Sequence, residues 1–303
     1  MGKKVGFVIL NYCTWEETLR CAKKIRENKQ QYEYVICVVD NNSPEKAPGT
    51  LLSELKTVAD TVIMNRDNKG YNAGNNIGLE YLLSIRCDYY VIVNSDVIIE
   101  YGAIEKMIDI SNCDKKIGIV GPKVIEKGKE SFNGCNRQFS LLDYYVSTTP
   151  IAVLFKQYGK KLHSYKMKSQ DHYAEVFSVS GCCFLITKNC CERIFPLDES
   201  RKLYNEENML GIRMAKLGFS TVVAVDAVIN HLHGSSTSKD PANAYIERIR
   251  SDFYYIDSYL QKPKAFAFPL FVIRKSIFLI KSRTRKGFNP NHRKIPKFNN
   301  IYN

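Results

Sequence analysis

The chain has 303 residues, 45% hydrophobic and 25% charged, an ordinary globular composition with length for one large α/β domain plus extensions or for two small domains. Its formal net charge of +13 would point to nucleic acid or an anionic membrane, but between Gln261 and Asn303 there are eleven Lys and Arg and no Asp or Glu. The tail therefore carries +11 and the body is nearly neutral, whereas a nucleic-acid enzyme spreads basic charge around its main groove, so nucleic acid is set aside as a partner.

Short apolar runs bounded by polar turns, the signature of buried parallel strands, occur at Val5–Leu10, Tyr34–Val39, Thr61–Met64, Tyr89–Val93 and Ile117–Val120. Helix-like stretches alternate with them. Thr14 is placed to cap a helix running to about Glu27, with Glu17 completing a capping box, and Asn72 to cap another through Leu83. This β-α-β-α order predicts a mostly parallel, twisted, Rossmann-like sheet flanked by helices on both faces, with ligands gathered at the carboxyl ends of the strands. Residues 122–175 have weak periodicity and read as an excursion that covers the site. Val176–Ile186 returns to strand character, Glu206–Leu217 reads as a helix closed by Gly218, and Thr221–Val225 as a strand. Residues 243–260 read as helical, and the basic tail follows Pro263.

The ten cysteines include the adjacent pairs Cys182–Cys183 and Cys190–Cys191 but no C-x-x-C, and they read as small core residues. The N-terminus enters a strand directly, without the apolar segment of a signal peptide. Both readings fit a reducing cytoplasm.

Chemistry is sought just after each strand. Asn11-Tyr12 follows the first, where neither G-x-G-x-x-G nor G-x-x-x-x-G-K-[ST] is present, against a dinucleotide fold or a P-loop. Asp40 ends the second; it can accept hydrogen bonds from a base or ribose, or simply form a turn. The segment Asn65–Gly78 places Gly70, Gly74 and Gly78 at four-residue spacing among asparagines including Asn68 and Asn75, an arrangement that allows close backbone approach to an anion or serves as a structural turn. The sharpest feature is Asn94-Ser95-Asp96, where a hydrophobic strand delivers a carboxylate at its end. Such a carboxylate suits a hard cation bridging to phosphate, or a helix cap. Glu206-Glu207 opens a helix, where acidic residues are favourable in any case; adjacent residues point about 100° apart, so one of the two faces a cleft as a base. His231-Leu232-His233 follows a strand and can supply a metal ligand or phosphate contact, or be surface histidine.

Taken in order, Val8-Ile9-Leu10-Asn11-Tyr12, Val38–Ser43, Asn68–Gly78, Asn94-Ser95-Asp96, Val179–Phe184, Phe195–Arg213 and His231-x-x-Gly234-x-Ser236 resemble the inverting family 2 glycosyltransferases of GT-A fold, in their bacterial rhamnosyltransferase-like branch, over roughly residues 4–240. The resemblance implies a GT-A domain at 1–242, with a nucleotide-binding half (1–121) and an acceptor and catalytic half (122–242), followed by a helical, basic extension at 243–303. It implies donor contacts from Asn11, Asp40, Asn68, Gly70, Asn75, Asn94 and Asp96. Asp96 and His231 become ligands of Mn²⁺ or Mg²⁺, and Glu207 or Glu206 the base, with Glu207 at the family's second acidic position. Asn94 stands where the family's metal motif has its first Asp, and Glu206-Glu207 where Glu-Asp is commoner. The activity implied is transfer of a sugar from a UDP- or dTDP-sugar, such as dTDP-rhamnose, to a surface-polysaccharide or lipid-linked glycan. The rivals are a sugar-nucleotide nucleotidyltransferase, which would show a Gly-rich basic loop in place of Asn11-Tyr12-Cys13, and a silent nucleotide-sugar-binding module, which would not need Glu206-Glu207.

The tail predicts a peripheral contact with the inner face of the membrane through residues 264–289. Ala265–Ile273 is an apolar run far short of the roughly twenty residues that span a bilayer. Ile273, Ser276, Ile277 and Ile280 share one helical side and Arg274, Lys275 and Lys281 the other, with Phe271 and Phe278 among the charges; this is the pattern of an interfacial helix, or of one packed on the catalytic domain with its charges solvated.

Overall fold

The computed structural model describes residues 2–131, 134–155, 158, 161–162, 172–232, 240–285, 288 and 294–301. The β-rich opening builds β1 (Lys4–Asn11), β2 (Glu33–Asp40), β3 (Thr61–Met64) and β4 (Tyr89–Asn94), joined by α1 (Trp15–Glu27), α2 (Gly49–Val58) and α3 (Tyr71–Ser84). Then follow β5 (Val97–Ile99), α4 (Ala103–Ser111), β6 (Ile117–Glu126), β7 (Lys129–Glu130), β8 (Cys135–Asn136) and α5 (Leu141–Thr148). The second half contains β9 (Tyr173–Val176), β10 (Ser178–Val179), β11 (Cys183–Thr187), α6 (Lys188–Ile194), α7 (Glu206–Leu217), β12 (Ser220–His231), α8 (Pro241–Tyr254) and α9 (Lys264–Thr284).

The main sheet runs β3-β2-β1-β4-β11-β6-β12-β5, with β7 beside β6 and β9 beside β12. It is parallel from β3 to β4, with β1, β2 and β4 buried as expected but β3, at the sheet edge, only half-buried and its Met64 exposed; β6–β12 is parallel too, whereas β11, β5, β9 and β7 join antiparallel. Alternation along β1 sorts the core. Val5, Phe7 and Ile9 pack with α1 and α4 on one face, and Val8 packs with α3 and α6 on the other. A third cluster joins Tyr144 of α5 and Met209 and Ile212 of α7 to α8, α9 and the chain end at Ile301. The order reverses between β1 and β4, and the carboxyl ends of both strands open there, at a topological switch point.

Several local expectations are corrected. Thr14 precedes α1 but makes no side-chain cap, because its hydroxyl is spent on Asn11 Oδ1 (3.2 Å) and Ser95 Oγ (2.8 Å). The capping box sits instead in the excursion, where Ser140 and Asp143 start α5. Asn72 lies inside α3, whose cap residue is Gly70, and its amide donates to Asp198 O at 2.8 Å. Val176–Ile186 is not one strand but falls across β9, β10 and β11. The expected helix at 243–260 is α8 followed by a π-helical turn over Tyr255–Tyr259, and Gly218 does close α7, at φ +75°. All ten cysteines are free and eight are buried.

The largest correction concerns α9. It packs inward with Ala267, Leu270, Phe271, Arg274 and Phe278, and Ile273 and Ile277 are half-buried. Arg274 is therefore not on a charged outer side. It is 1% exposed and ion-paired with Asp252 of α8, while Lys281 stands over the Tyr245 ring. The outward apolar residues are Phe266, Phe268, Val272, Leu279 and Ile280. No helix of the described residues is long and apolar enough to cross a membrane.

Candidate active site

Strand register decides which residues meet. β12 pairs antiparallel with β5 so that His231 faces Val97, and Leu232 N–H donates to Asp96 O at 3.0 Å. This brings His231 Nε2 within 3.3 Å of Asp96 Oδ2. At the end of neighbouring β6, Glu126 Oε1 lies 3.3 Å from His231 Nδ1. Burial works against charge on His231, but the hydrogen bonds and charges of Asp96 and then Glu126 outweigh it and raise its pKa above the ordinary 6.5. No sequence motif marks Glu126; only the β6–β12 pairing reveals it.

Two clefts meet here. The first, about 530 Å³, is lined by Tyr12, Asn68, Gly70, Asn94, Asp96, Lys202 and His231 among others. The second, about 510 Å³, is lined by Tyr144, Ser147, Thr148, Gly181, Glu206, Glu207, Arg248 and Asp252 among others. Tyr71, Asn94, Leu203 and His231 belong to both walls. The predicted residues separate accordingly. Asn68, Gly70, Asn94, Asp96 and His231 line the first cleft, and Glu206 and Glu207 the second.

Asn11, Asp40 and Asn75 line neither cleft and are buried behind the walls. Asn11 donates to Asp40 Oδ1 (2.7 Å) and accepts from Thr14 N and from the hydroxyls of Thr14 and Thr18. Asp40 in turn accepts the Ser43 amide and hydroxyl. These two side chains brace the Tyr12–Thr14 and Asn41–Ser43 turns at the switch point. Asn75 donates to Tyr71 O at 3.0 Å within α3.

Gly70 is required by geometry. Its φ is +119°, and a Cβ there would lie 2.4 Å from the Lys202 backbone, while Tyr71 N–H donates to Lys202 O at 2.8 Å. The glycine thus lets the start of α3 lie against the loop that carries Lys202, an exposed cation at the rim of the first cleft that sequence reasoning missed. Asn68 Oδ1 holds the turn by accepting from Gly70 N–H and Asn41 Nδ2, both at 3.1 Å.

In the second cleft the chain reaches α7 through Tyr204 (φ +77°) and Asn205 (φ +64°), consecutive left-handed residues that aim the helix N-terminus inward. Glu206 is buried, and burial, followed by the like charge of Glu207, pushes its pKa from 4.5 up to about 8. Glu207 is less buried, and its Oε1 accepts the Gly181 N–H at 3.2 Å. Tyr71 OH donates to the carbonyl of the same glycine, which links the two clefts. Gly181 is held close: a Cβ would sit 3.1 Å from Glu207 Oε1.

Among the described residues no cluster of three or more His, Cys, Asp or Glu could enclose a metal ion. The Asp96–His231 pair fits a cation of another kind, one that takes few protein ligands and fills its sphere from diphosphate and water. Glu126 on the far nitrogen of His231 is the usual support of a ligating histidine. His233 and the Gly234–Ser236 part of the late motif lie outside the described residues.

Comparison with known proteins adds five likenesses. Residues 8–251 match the family model described as glycosyltransferase-like family 2. The N-acetylglucosaminyl-diphospho-decaprenol L-rhamnosyltransferase of Mycobacterium tuberculosis is 20% identical over 237 residues, 73% of this chain and 74% of the relative. The low-salt glycan biosynthesis hexosyltransferase Agl10 of Haloferax volcanii is 21% identical over 281 residues, 83% and 82% of the two chains. Among solved structures, GalNAc-T7 with UDP, GalNAc and Mn²⁺ superposes with a TM-score of 0.66 at 12% identity, covering 99% of this chain and 54%, about half, of the other. The Pyrobaculum calidifontis mannosyltransferase PcManGT with GDP-Man and Mn²⁺ superposes at 0.56 and 13% identity, covering 92% and 71%. At these identities the structures establish the GT-A fold alone.

Proposed function

The chain belongs to the family 2 glycosyltransferases and is an enzyme of that class, and from this premise we propose a metal-dependent, inverting transfer from a nucleoside-diphosphate sugar to a glycan acceptor. The observation that carries it is the junction of the two clefts, with Asp96–His231 on one side and Glu206–Glu207 on the other. The donor occupies the first cleft, with its diphosphate toward Asp96, His231 and Lys202. A bound Mn²⁺ or Mg²⁺ would be held by Asp96 and His231 and would neutralise charge on the departing diphosphate. Asn94, which belongs to both walls, faces the sugar.

The acceptor hydroxyl enters from the second cleft and attacks the anomeric carbon opposite the diphosphate, as water does in inverting glycoside hydrolysis. Its proton passes to Glu207, the base. Burial keeps Glu206 protonated at neutral pH, so the two neighbours do not repel as twin charges. Asn11 and Asp40 serve the donor indirectly, by bracing the turns that form its floor. UDP- and dTDP-sugars, dTDP-rhamnose among them, are the donors to test first, given the rhamnosyltransferase relative. That relative's name also supports a lipid-linked acceptor.

The membrane contact fits a revised surface. Exposed Phe266, Phe268, Val272, Leu279 and Ile280 of α9 are accompanied by exposed Leu142, Val153, Leu154 and Phe155 beside the acceptor cleft. Tyr145 OH joins the two elements by donating to Phe266 O (2.7 Å) and accepting from Leu270 N–H (3.2 Å). Exposed Lys262, Lys275, Arg283 and Arg285 supply cations for anionic headgroups.

The test is nucleotide-sugar binding and transfer with UDP-, dTDP- and GDP-sugars, with and without Mn²⁺. Asp96→Ala should lose Mn²⁺-stimulated nucleotide binding, and Glu207→Gln should bind normally while transfer falls about 10²–10⁴-fold. A folded Asp96→Ala protein with undiminished metal-dependent binding would overturn the assignment.

A further inference from the structure

We propose that Arg274, on the C-terminal helix, is a positioning residue for the catalytic carboxylates and acts through Asp252 and Asn205; this rests on reading the second cleft as the acceptor site. Arg274 is the largest fully buried side chain among the described residues, and its Nη1 pairs with Asp252 Oδ2. The other oxygen, Asp252 Oδ1, accepts from Asn205 Nδ2 at 2.6 Å. Asn205 Oδ1 accepts from Tyr144 OH at 2.8 Å and from Asn208 Nδ2 at 2.9 Å. Ser251, next to Asp252, donates its hydroxyl to Leu203 O at 2.6 Å. A chain of short contacts therefore runs from α9 through α8 into the Leu203–Asn205 turn, and the next residue is Glu206.

That turn needs holding. Tyr204 and Asn205 both have positive φ, a conformation that non-glycine residues keep only where the surroundings over-determine it. A buried ion pair is a poor device for stability alone, since a well-packed apolar pair commonly does as well. What the guanidinium supplies that an apolar side chain cannot is a fixed carboxylate at Asp252, oriented as the acceptor for Asn205. The basic extension is thus part of the active site's frame, and the helix with the outward apolar face is in series with the catalytic turn.

The experiment compares Arg274→Met, Arg274→Lys and Asn205→Gly in the full-length protein. Glycine adopts the φ of residue 205 freely, so Asn205→Gly leaves the turn accessible while deleting its side-chain bonds, and it decides the matter if Arg274→Met fails to fold. Arg274→Met and Asn205→Gly should lower kcat about 10–100-fold, the cost of misplacing a catalytic group by about an ångström, with donor KM unchanged. Arg274→Lys should recover most of the loss. Amide hydrogen exchange over residues 203–209 should quicken in Arg274→Met and Asn205→Gly but not in Arg274→Lys. Native kcat and native exchange in a folded Asn205→Gly protein overturn the proposal, and so does a loss confined to donor KM. The exchange measurement needs no turnover. If the unaltered protein transfers no sugar, the functional reading fails, while faster exchange in the variants still upholds the coupling.

Discussion

Glu206→Gln should flatten the pH dependence of stability. Glu206 carries a folded-state pKa raised from 4.5 to about 8 by burial and by Glu207. The folded protein therefore holds a proton that the unfolded chain releases above pH 4.5. The sign follows: the contribution of Glu206 is fully present below pH 4.5 and is lost as pH rises toward 8. Within that window each pH unit lowers the unfolding free energy by about 1.4 kcal/mol, or about 3 kcal/mol between pH 5 and 7.5. His231, also raised, acts in the same direction but equally in both proteins, so the difference between them isolates Glu206. The slope is a better measure than absolute stability. Glu206 Oε1 is buried without a hydrogen-bond partner, and an amide there would cost about 1–3 kcal/mol in desolvation, offsetting the gain at neutral pH. Urea unfolding at half-unit steps from pH 5 to 8 reads both slopes. Equal slopes in the native protein and Glu206→Gln would refute the assignment of the retained proton to Glu206.

Gly70→Ala should destabilise the fold by roughly 2 kcal/mol or more, because φ +119° and a 2.4 Å approach to the Lys202 backbone both oppose a Cβ. An unchanged urea midpoint would show that this turn is not as tight as described. Replacing exposed Phe266, Val272, Leu279 and Ile280 together by serine should leave the unfolding midpoint near native, while sedimentation with anionic liposomes drops. Full-length protein that ignores such liposomes at low salt, where screening is weakest, would end the membrane reading. Truncation after Leu260 is a poor substitute for those replacements, since it strips Asp252 of its buried partner and removes part of the third core cluster.

What sequence alone determined is whatever depends on local pattern. The continuous apolar runs of β1, β2 and β4 declare strands covered on both faces, and in such a sheet ligands gather at the carboxyl ends of the strands. Asn94–Asp96 could be picked out because a carboxylate at the end of such a strand is conspicuous, and Gly218 because a left-handed helix end favours glycine. What only the tertiary structure decided concerns residues whose role lies in a distant partner. Asn11 and Asp40 sit at strand ends, as a ligand contact would, yet they bond to each other and to neighbouring turns. Glu126 stands beside His231 through strand register, across more than a hundred residues of chain. Arg274 reads as one more basic residue of a basic tail until Asp252 is seen to meet it. A period along one segment reports which face is apolar, and a long polar side chain carries no such mark: its place is set by whether a buried partner waits for it, and that is known only once the chain has folded.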